Sequence, residues 1–301
     1  MIRRAIFSIA IAMLLCIGLV AGANAQSTST SEGYVDEFVV HVKHSCGMQY
    51  DNLVKKLVAA NRGNKGDNWI TLESTYGEGN VYRFVATRAT YADIETAQGK
   101  FMAAIAKSQG GEAGMMKLFS DLDACSDSTQ GLLRHRRWDL SIGKPADAAA
   151  YAQAVGSARW VRLIEIHVRP GMTPRYEAMR KMVMAAQMKA NPNTGSTWVS
   201  EAVAGNQGTV FYYTQVRPTL GAFDAAPNSP SMRDMMGDSA YEAYQREYSE
   251  IITRTDVSIY QVSGELSNPP DDVVAVAPKF WHPAAMAPAK APAAKAPAKN
   301  Q

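Results

Sequence analysis

Motifs for nucleotide, metal or hydrolase chemistry are missing from this chain of 301 residues, and cysteine is scarce. No phosphate-binding glycine loop, HExxH zinc motif or nucleophile elbow occurs. There are three cysteines, of which Cys16 lies in the apolar N-terminal segment. A metal site built on the remaining two cysteines alone is unusual. The sequence therefore predicts no metal site and no motif-based phosphate or hydrolase chemistry.

A dominant charge sign is also lacking. The chain carries 31 basic and 28 acidic residues, and four of its lysines lie in an acid-free C-terminal segment. Without that segment and the N-terminal arginines the remainder is slightly acidic. This balance argues against nucleic acid as a partner.

Only the N-terminus contains a long apolar run. Arg3 and Arg4 precede the apolar residues Ile6–Val20, and Ala23–Ala25 then gives a small-x-small cleavage pattern. The alternative is a membrane anchor, but the run is shorter than the roughly 20 residues that a span needs. Residues 1–25 are therefore predicted to be a cleaved signal peptide. We expect a soluble periplasmic or secreted protein that keeps no transmembrane segment.

The remainder of the chain contains one pattern twice. Val39–Lys43 aligns with Glu165–Arg169 at an offset of 126, and Trp69 aligns with Trp198 at an offset of 129. The agreement of hydrophobic pattern over more than 100 residues indicates a tandem repeat. It predicts a first repeat at 34–142, a linker at 143–159 and a second repeat at 160–268. Residues 269–301 are rich in Pro, Ala and Lys and are predicted to be a disordered tail.

Each copy shows the order strand, helix, strand, strand, helix, strand. This is the ferredoxin-like β-α-β-β-α-β plan, which leaves one face of an antiparallel sheet to be buried. The predicted fold is α+β, with the two units packing sheet to sheet. On topology and pattern the chain resembles two fused members of the dimeric α+β barrel superfamily. The resemblance implies an internal pseudo-dimer, as a monomer or as a homodimer of such chains.

Strand alternation predicts which residues face the barrel interior. His41 and His167 occupy matched positions on first strands and are predicted to face inward, together with Glu165. Trp69 and Trp198 are a matched aromatic pair. We interpret these five residues as candidate ligand-binding residues, the alternative being that they are ordinary packing residues of the sheet. Glu73, Arg83 and Tyr212 are further inward-facing candidates.

Two other clusters receive different interpretations. His41 and His44 are three residues apart on or near a strand, so they point to opposite faces and do not form a metal site with Cys46. The basic run Arg134–Arg137 on the fourth strand is interpreted as a solvated edge, with an anion site as the alternative.

The topology also predicts a disulfide. The first strand and the second helix finish at the same end of the sheet, so Cys46 and Cys125 come close together. Their counterparts in the second copy are Met172 and Ile251, an apolar pair.

The predicted function is the binding of a small apolar or aromatic molecule in the barrel, with no cofactor identified. The resemblance implies an alternative, an oxidoreductase that uses His41 or His167, either a cofactor-free monooxygenase or a haem enzyme with one of these histidines as axial ligand. A third hypothesis is a structural or interaction protein of the cell envelope.

Overall fold

A computed structural model describes residues 32–191, 195–224 and 230–282. The predicted signal peptide lies outside the described residues, as does most of the predicted tail. No helix in these three ranges is both long and apolar enough to cross a membrane.

The first half of the chain follows the predicted order, with its second helical region split in two. Thr90 and Asp93 form a capping box at the start of that region. The split falls at Gly110 and Gly111, whose φ angles of 75° and 112° favour glycine. The elements are β1 (Tyr34–Val42), α1 (Gly47–Asn64), β2 (Trp69–Tyr76), β3 (Val81–Arg88), α2 (Tyr91–Ser108), α3 (Glu112–Ala124) and β4 (Ser126–Arg136).

The second half repeats this order, and short helices lie at both of its ends. Asp147 caps the helix in the linker by accepting a hydrogen bond from the backbone of Ala150. The elements are α4 (Ala148–Gly156), β5 (Trp160–Val168), α5 (Thr173–Ala190), β6 (Trp198–Ala204), β7 (Thr209–Arg217), α6 (Met232–Met236), α7 (Asp238–Ile251), β8 (Ile252–Asn268), α8 (Asp271–Val276) and α9 (Pro278–Trp281).

Helices α8 and α9 lie inside the segment that composition predicts to be a disordered tail. The side chain of Trp281 is fully buried and donates a hydrogen bond to the carbonyl of Gly156, at 3.1 Å. A side chain at Gly156 would collide with α8, so the glycine permits α4 and α8 to pack closely. The prediction is therefore wrong for the start of this segment, because a few apolar residues there find a ready apolar surface.

The eight strands form one closed barrel in the order β1-β3-β2-β8-β5-β7-β6-β4. The sheet of the first half is β4-β1-β3-β2, and that of the second half is β8-β5-β7-β6, which is the same relative order. The predicted barrel is present, and its sheets join edge to edge through the antiparallel pairs β2–β8 and β4–β6. Every pair is antiparallel, so β1, β2, β5 and β6 all begin at one end of the barrel.

Alternation along the strands separates three apolar cores. One lies between the first-half sheet and α1–α3, and another between the second-half sheet and its helices. The third fills the barrel interior and includes Val39, Leu163 and Tyr260. Ile164, Ile166 and Val168 face the helices, as the sequence predicts, so Glu165 and His167 face the other way.

Candidate functional site

The barrel is open inside at the end where β1, β2, β5 and β6 begin, which we call the cavity end. A cavity of about 890 Å³ lies there, and its wall continues outward to the last turn of α1 and to α2. Helices α4 and α8 contribute Tyr151, Val155 and Val273 to the wall. The cavity is therefore a blind pocket at one end of the barrel, partly covered by the two short helices.

Aromatic side chains form one wall of this cavity. The rings of Trp198 and Tyr151 are stacked, with centroids 5.3 Å apart and an angle of 17° between their planes. Trp138 meets Trp198 edge-on at 6.2 Å. The indole nitrogen of Trp198 donates to the carbonyl of Gly143 at 3.1 Å, which fixes the orientation of its ring. This geometry offers flat apolar surface for a flat ligand.

Trp69 does not match Trp198 in space. Ile70, the residue after Trp69, pairs with Val85 on β3. At the corresponding position of the second half, Trp198 itself pairs with Thr214 on β7. The second strands thus differ by one residue in register, which reverses the face on which a side chain lies.

Trp69 packs into the helix-side core of the first half, with its ring centroid 5.9 Å from that of Phe101. Its indole nitrogen donates to the carbonyl of Leu266 at 2.9 Å. Both tryptophans border the cavity, but the expectation of a matched pair is wrong.

A layer of buried charges crosses the interior at the floor of the cavity. Arg83 uses all three of its nitrogens: Nη1 donates to Glu37 at 2.6 Å, Nη2 to Glu165 at 2.8 Å and Nε to the Tyr260 hydroxyl at 2.8 Å. Arg134 donates from Nη2 to the second oxygen of Glu37. Burial disfavours the charged form of Glu37, but Arg134 and Arg83 outweigh it and lower the pKa of this carboxyl.

The basic run on β4 is only partly at a solvated edge. Arg134 and Arg136 are buried and line the cavity, whereas Arg137 forms ion pairs with Asp139, Glu177 and Glu201. The interpretation of the whole run as a solvated edge is therefore wrong. The signal that the sequence offers is the alternation of Leu132, Arg134 and Arg136 on one face.

His41 and His167 lie at the other end of the barrel, which we call the histidine end. Nδ1 of His41 is 3.1 Å from a carboxylate oxygen of Glu78, and Nε2 of His167 is 3.4 Å from one of Asp256. Both side chains are about a quarter exposed. The strands bring the histidines to the same end but away from Trp198, and a ligand-binding role for them stays a prediction.

Metal-binding geometry is not found in the described ranges, where no three histidine, cysteine or acidic side chains converge.

The inward-facing candidates Glu73 and Tyr212 lie in different surroundings. Tyr212 is in the interior core, while Glu73 is half-buried on β2. The pKa of Glu73 is raised by burial.

Cys46 and Cys125 lie beside each other, as the topology predicts. Their thiols are not bonded. Burial, together with the neighbouring Cys46 thiol, raises the pKa of the Cys125 thiol to about 11. The predicted disulfide is therefore within reach of the two side chains.

A second, smaller cleft of about 210 Å³ lies between the outer face of β5 and β7 and the helices α5–α7. The hydroxyls of Tyr176 and Tyr213 hydrogen-bond at 2.6 Å inside it. Arg180 is buried there, with Nε donating to the carbonyl of Leu140 at 3.0 Å.

Comparison with family models and with curated proteins gives no match. Solved structures with a similar fold include an anthrone oxidase-like protein (TM-score 0.48, 11% identity, covering 77% of this chain and 92% of that one). A heme-binding protein from Thermus thermophilus gives 0.42 and 8%, covering 80% and 94%. A chlorite dismutase variant from Candidatus Nitrospira defluvii gives 0.41 and 11%, covering 78% and 92%. These neighbours are dimeric α+β barrel proteins, the class that the sequence resembles, and the likeness concerns the fold alone.

Proposed function

We propose that this protein binds a small apolar or aromatic molecule in the cavity at the cavity end of the barrel. The observation that carries the proposal is the stacked pair Trp198 and Tyr151 on the wall of a cavity of about 890 Å³. Such a volume lies within the range of roughly 300–1,000 Å³ that is usual for small-molecule pockets. An inserted ring would extend the stack and bury apolar surface on both partners.

The rest of the interior supports a single entrance. Val39, Val81 and Val210 belong to the buried interior core beyond the charged layer, between the cavity and the histidines. A ligand in the cavity would then contact Trp198 and the charged floor, and would not reach His41 or His167. This proposal therefore differs from the oxidoreductase hypothesis, which needs a histidine at the reacting group.

Calorimetric titration with indole and naphthalene probes tests the proposal. We expect saturable binding, and an affinity at least about tenfold lower for Trp198→Leu, because the stacking surface is removed. His167→Ala, at the histidine end, is the matched control and should bind as the original chain does. Equal affinity in all three proteins, or loss of binding only in His167→Ala, would overturn the cavity site.

Three further proposals concern the export of the chain, its compartment and the origin of its two halves. We propose that residues 1–25 direct export and are removed, that the two halves arose by tandem duplication, and that the mature protein is periplasmic or secreted. The duplication is supported by the shared strand order β4-β1-β3-β2 and β8-β5-β7-β6. Mass measurement of the chain from an expressing cell tests export: the expected mass is that of a chain that begins near Gln26.

In an oxidising compartment, Cys46 and Cys125 would form a disulfide. The two thiols lose two protons and two electrons, and the electrons reduce a disulfide-bearing oxidant to two thiols. The half-exposed Cys46 is the thiol that an oxidant reaches first, because Cys125 is buried.

A further inference from the structure

Two buried arginines of the charged layer, Arg83 and Arg134, differ in how fully their hydrogen bonds are satisfied. Each of the three nitrogens of Arg83 donates to an oxygen: one of Glu37, one of Glu165 and the hydroxyl of Tyr260. Arg134 is more deeply buried and donates only from Nη2, to Glu37. Its Nε and Nη1 have no hydrogen-bond partner among the described residues.

An unsatisfied guanidinium is costly in such a place. Its N–H groups lose their hydrogen bonds to water on burial, and Nε and Nη1 of Arg134 gain none from the described residues in return. The ring of Tyr212 lies 4.5 Å from the guanidinium carbon and offers a π-face, but no oxygen acceptor for Nε or Nη1. Buried polar groups are normally paired, and an exception of this kind calls for a partner.

The position of Arg134 indicates where that partner comes from. Arg134 and Glu37 line the cavity, whereas Arg83 and Glu165 lie deeper and do not. Arg136, two residues further along β4, lies on the same wall and donates from Nη2 to the Tyr151 hydroxyl at 3.1 Å. Tyr151 in turn stacks on Trp198. Two buried arginines, Arg136 and the Glu37-paired Arg134, therefore adjoin the aromatic wall inside one cavity.

We propose that the ligand of this cavity is an aromatic carboxylate, whose carboxylate oxygens accept hydrogen bonds from Arg134 while its ring packs against Trp198. This inference rests on the proposed function and names the chemical class of its ligand. A carboxylate would give Arg134 the second acidic partner that Arg83 already has in Glu165. Hydrogen bonds between two charged groups are the stronger ones, so the acid is distinguished from neutral molecules of the same shape.

Calorimetric titration with indole-3-carboxylate and indole-3-carboxamide at neutral pH tests the inference. The two probes share the ring and differ in charge. We expect the carboxylate to bind at least about tenfold more tightly than the carboxamide. Arg134→Gln should weaken carboxylate binding to the level of the carboxamide and leave carboxamide binding unchanged. The control Arg254→Gln, an exposed arginine at the histidine end, should keep the original preference.

Arg134→Lys covers the case in which Arg134→Gln fails to fold. It keeps one positive charge for Glu37 but presents a single nitrogen, so we expect a reduced preference for the carboxylate. Equal affinity of the two probes for the original chain would overturn the carboxylate inference and leave the cavity proposal standing. Failure of both probes to bind, with the chain folded, would overturn both proposals.

Discussion

The two halves of the chain place different chemistry at matched positions of one barrel. In the first half three inward-facing positions carry charges, and in the second half the same positions carry an aliphatic and two phenolic side chains. Strand pairing sets the correspondence, since both halves use the same register between their first, third and fourth strands. The matched pairs are Glu37 with Leu163, Arg83 with Tyr212, and Arg134 with Tyr260.

The difference is complementary across the barrel. The guanidinium of Arg83 lies 5.2 Å from the ring centroid of Tyr260, and that of Arg134 lies 4.5 Å from the ring centroid of Tyr212. Each of these two arginines thus lies over the ring of a tyrosine from the second half. A barrel of two first halves would gather four arginines at one level, with like-charge repulsion and no ring to cover them. The two halves therefore carry complementary side chains at this level of the barrel.

Removing the Glu37 carboxylate should destabilise the protein more than any other change to the matched positions. Its carboxylate serves both arginines, so Glu37→Gln leaves two buried cations without their shared counter-charge. We expect a loss of about 3–5 kcal/mol in the free energy of unfolding, measured by urea denaturation at pH 7. The control Glu95→Gln, on the exposed surface of α2, should change stability by less than about 0.5 kcal/mol. A loss below about 1 kcal/mol for Glu37→Gln would show that the charged layer contributes little.

The pH dependence of stability provides a second readout of Glu37. Its pKa in the folded protein lies below the ordinary value of 4.5, so its contribution is full above that pH and is lost as the pH falls through the folded pKa. Glu37→Gln should lack this part of the acid-induced loss. An unchanged acid profile in Glu37→Gln would contradict the assignment.

An effect on stability of nearly the same size is expected at the corners of the two halves, where β1 and β5 end. The amide of Lys43 donates to the carbonyl of Cys125 at 2.9 Å, and the amide of Arg169 donates to that of Ile251 at 2.8 Å. The same backbone geometry brings two thiols together in one half and an apolar pair in the other.

We expect the oxidised chain to be about 4 kcal/mol more stable than the reduced chain, by the loop-entropy model. The double variant Cys46→Met with Cys125→Ile transfers the apolar pair of the second half. It should fold and should not respond to reductant in a urea titration. Two free thiols in the chain isolated from an oxidising compartment, shown by mass after alkylation, would refute the disulfide.

The smallest expected effect is the difference in stability between the variants Tyr260→Phe and Tyr212→Phe. Tyr260→Phe removes the acceptor for Nε of Arg83, whereas Tyr212→Phe removes a hydroxyl that bonds to the neutral side chain of Asn206. Hydrogen bonds to charged groups contribute more, so we expect losses of about 2 and about 1 kcal/mol in the free energy of unfolding. Equal losses in thermal or urea unfolding would mean that the charge of Arg83 adds nothing.

The barrel was predictable from the sequence because it depends on local alternation and on a hydrophobic pattern that the two halves of the chain share. The inward phase of His41, Glu165 and His167 follows from period-two patterning alone. The pairing of Trp69 with Trp198 was wrong because a one-residue difference in register, which no alignment of two divergent strands reveals, reverses the face.

The charged floor was out of reach for a different reason. Glu37 and Arg134 are 97 residues apart and meet only because β1 pairs with β4, the last strand of the first half. A run of four basic residues on a strand is usually solvated, so its burial could not be predicted without its partners. The cover over the cavity likewise depends on contact between α4 and α8, which are separated in sequence by the strands and helices of the second half.

The location of a bound aromatic carboxylate is the most direct test of the account. A crystal structure of the chain with indole-3-carboxylate should show the ring against Trp198 and Tyr151, with carboxylate oxygens within hydrogen-bond distance of Arg134. Ligand density beside His41 or His167, or in the cleft between β5, β7 and α5–α7, would contradict it.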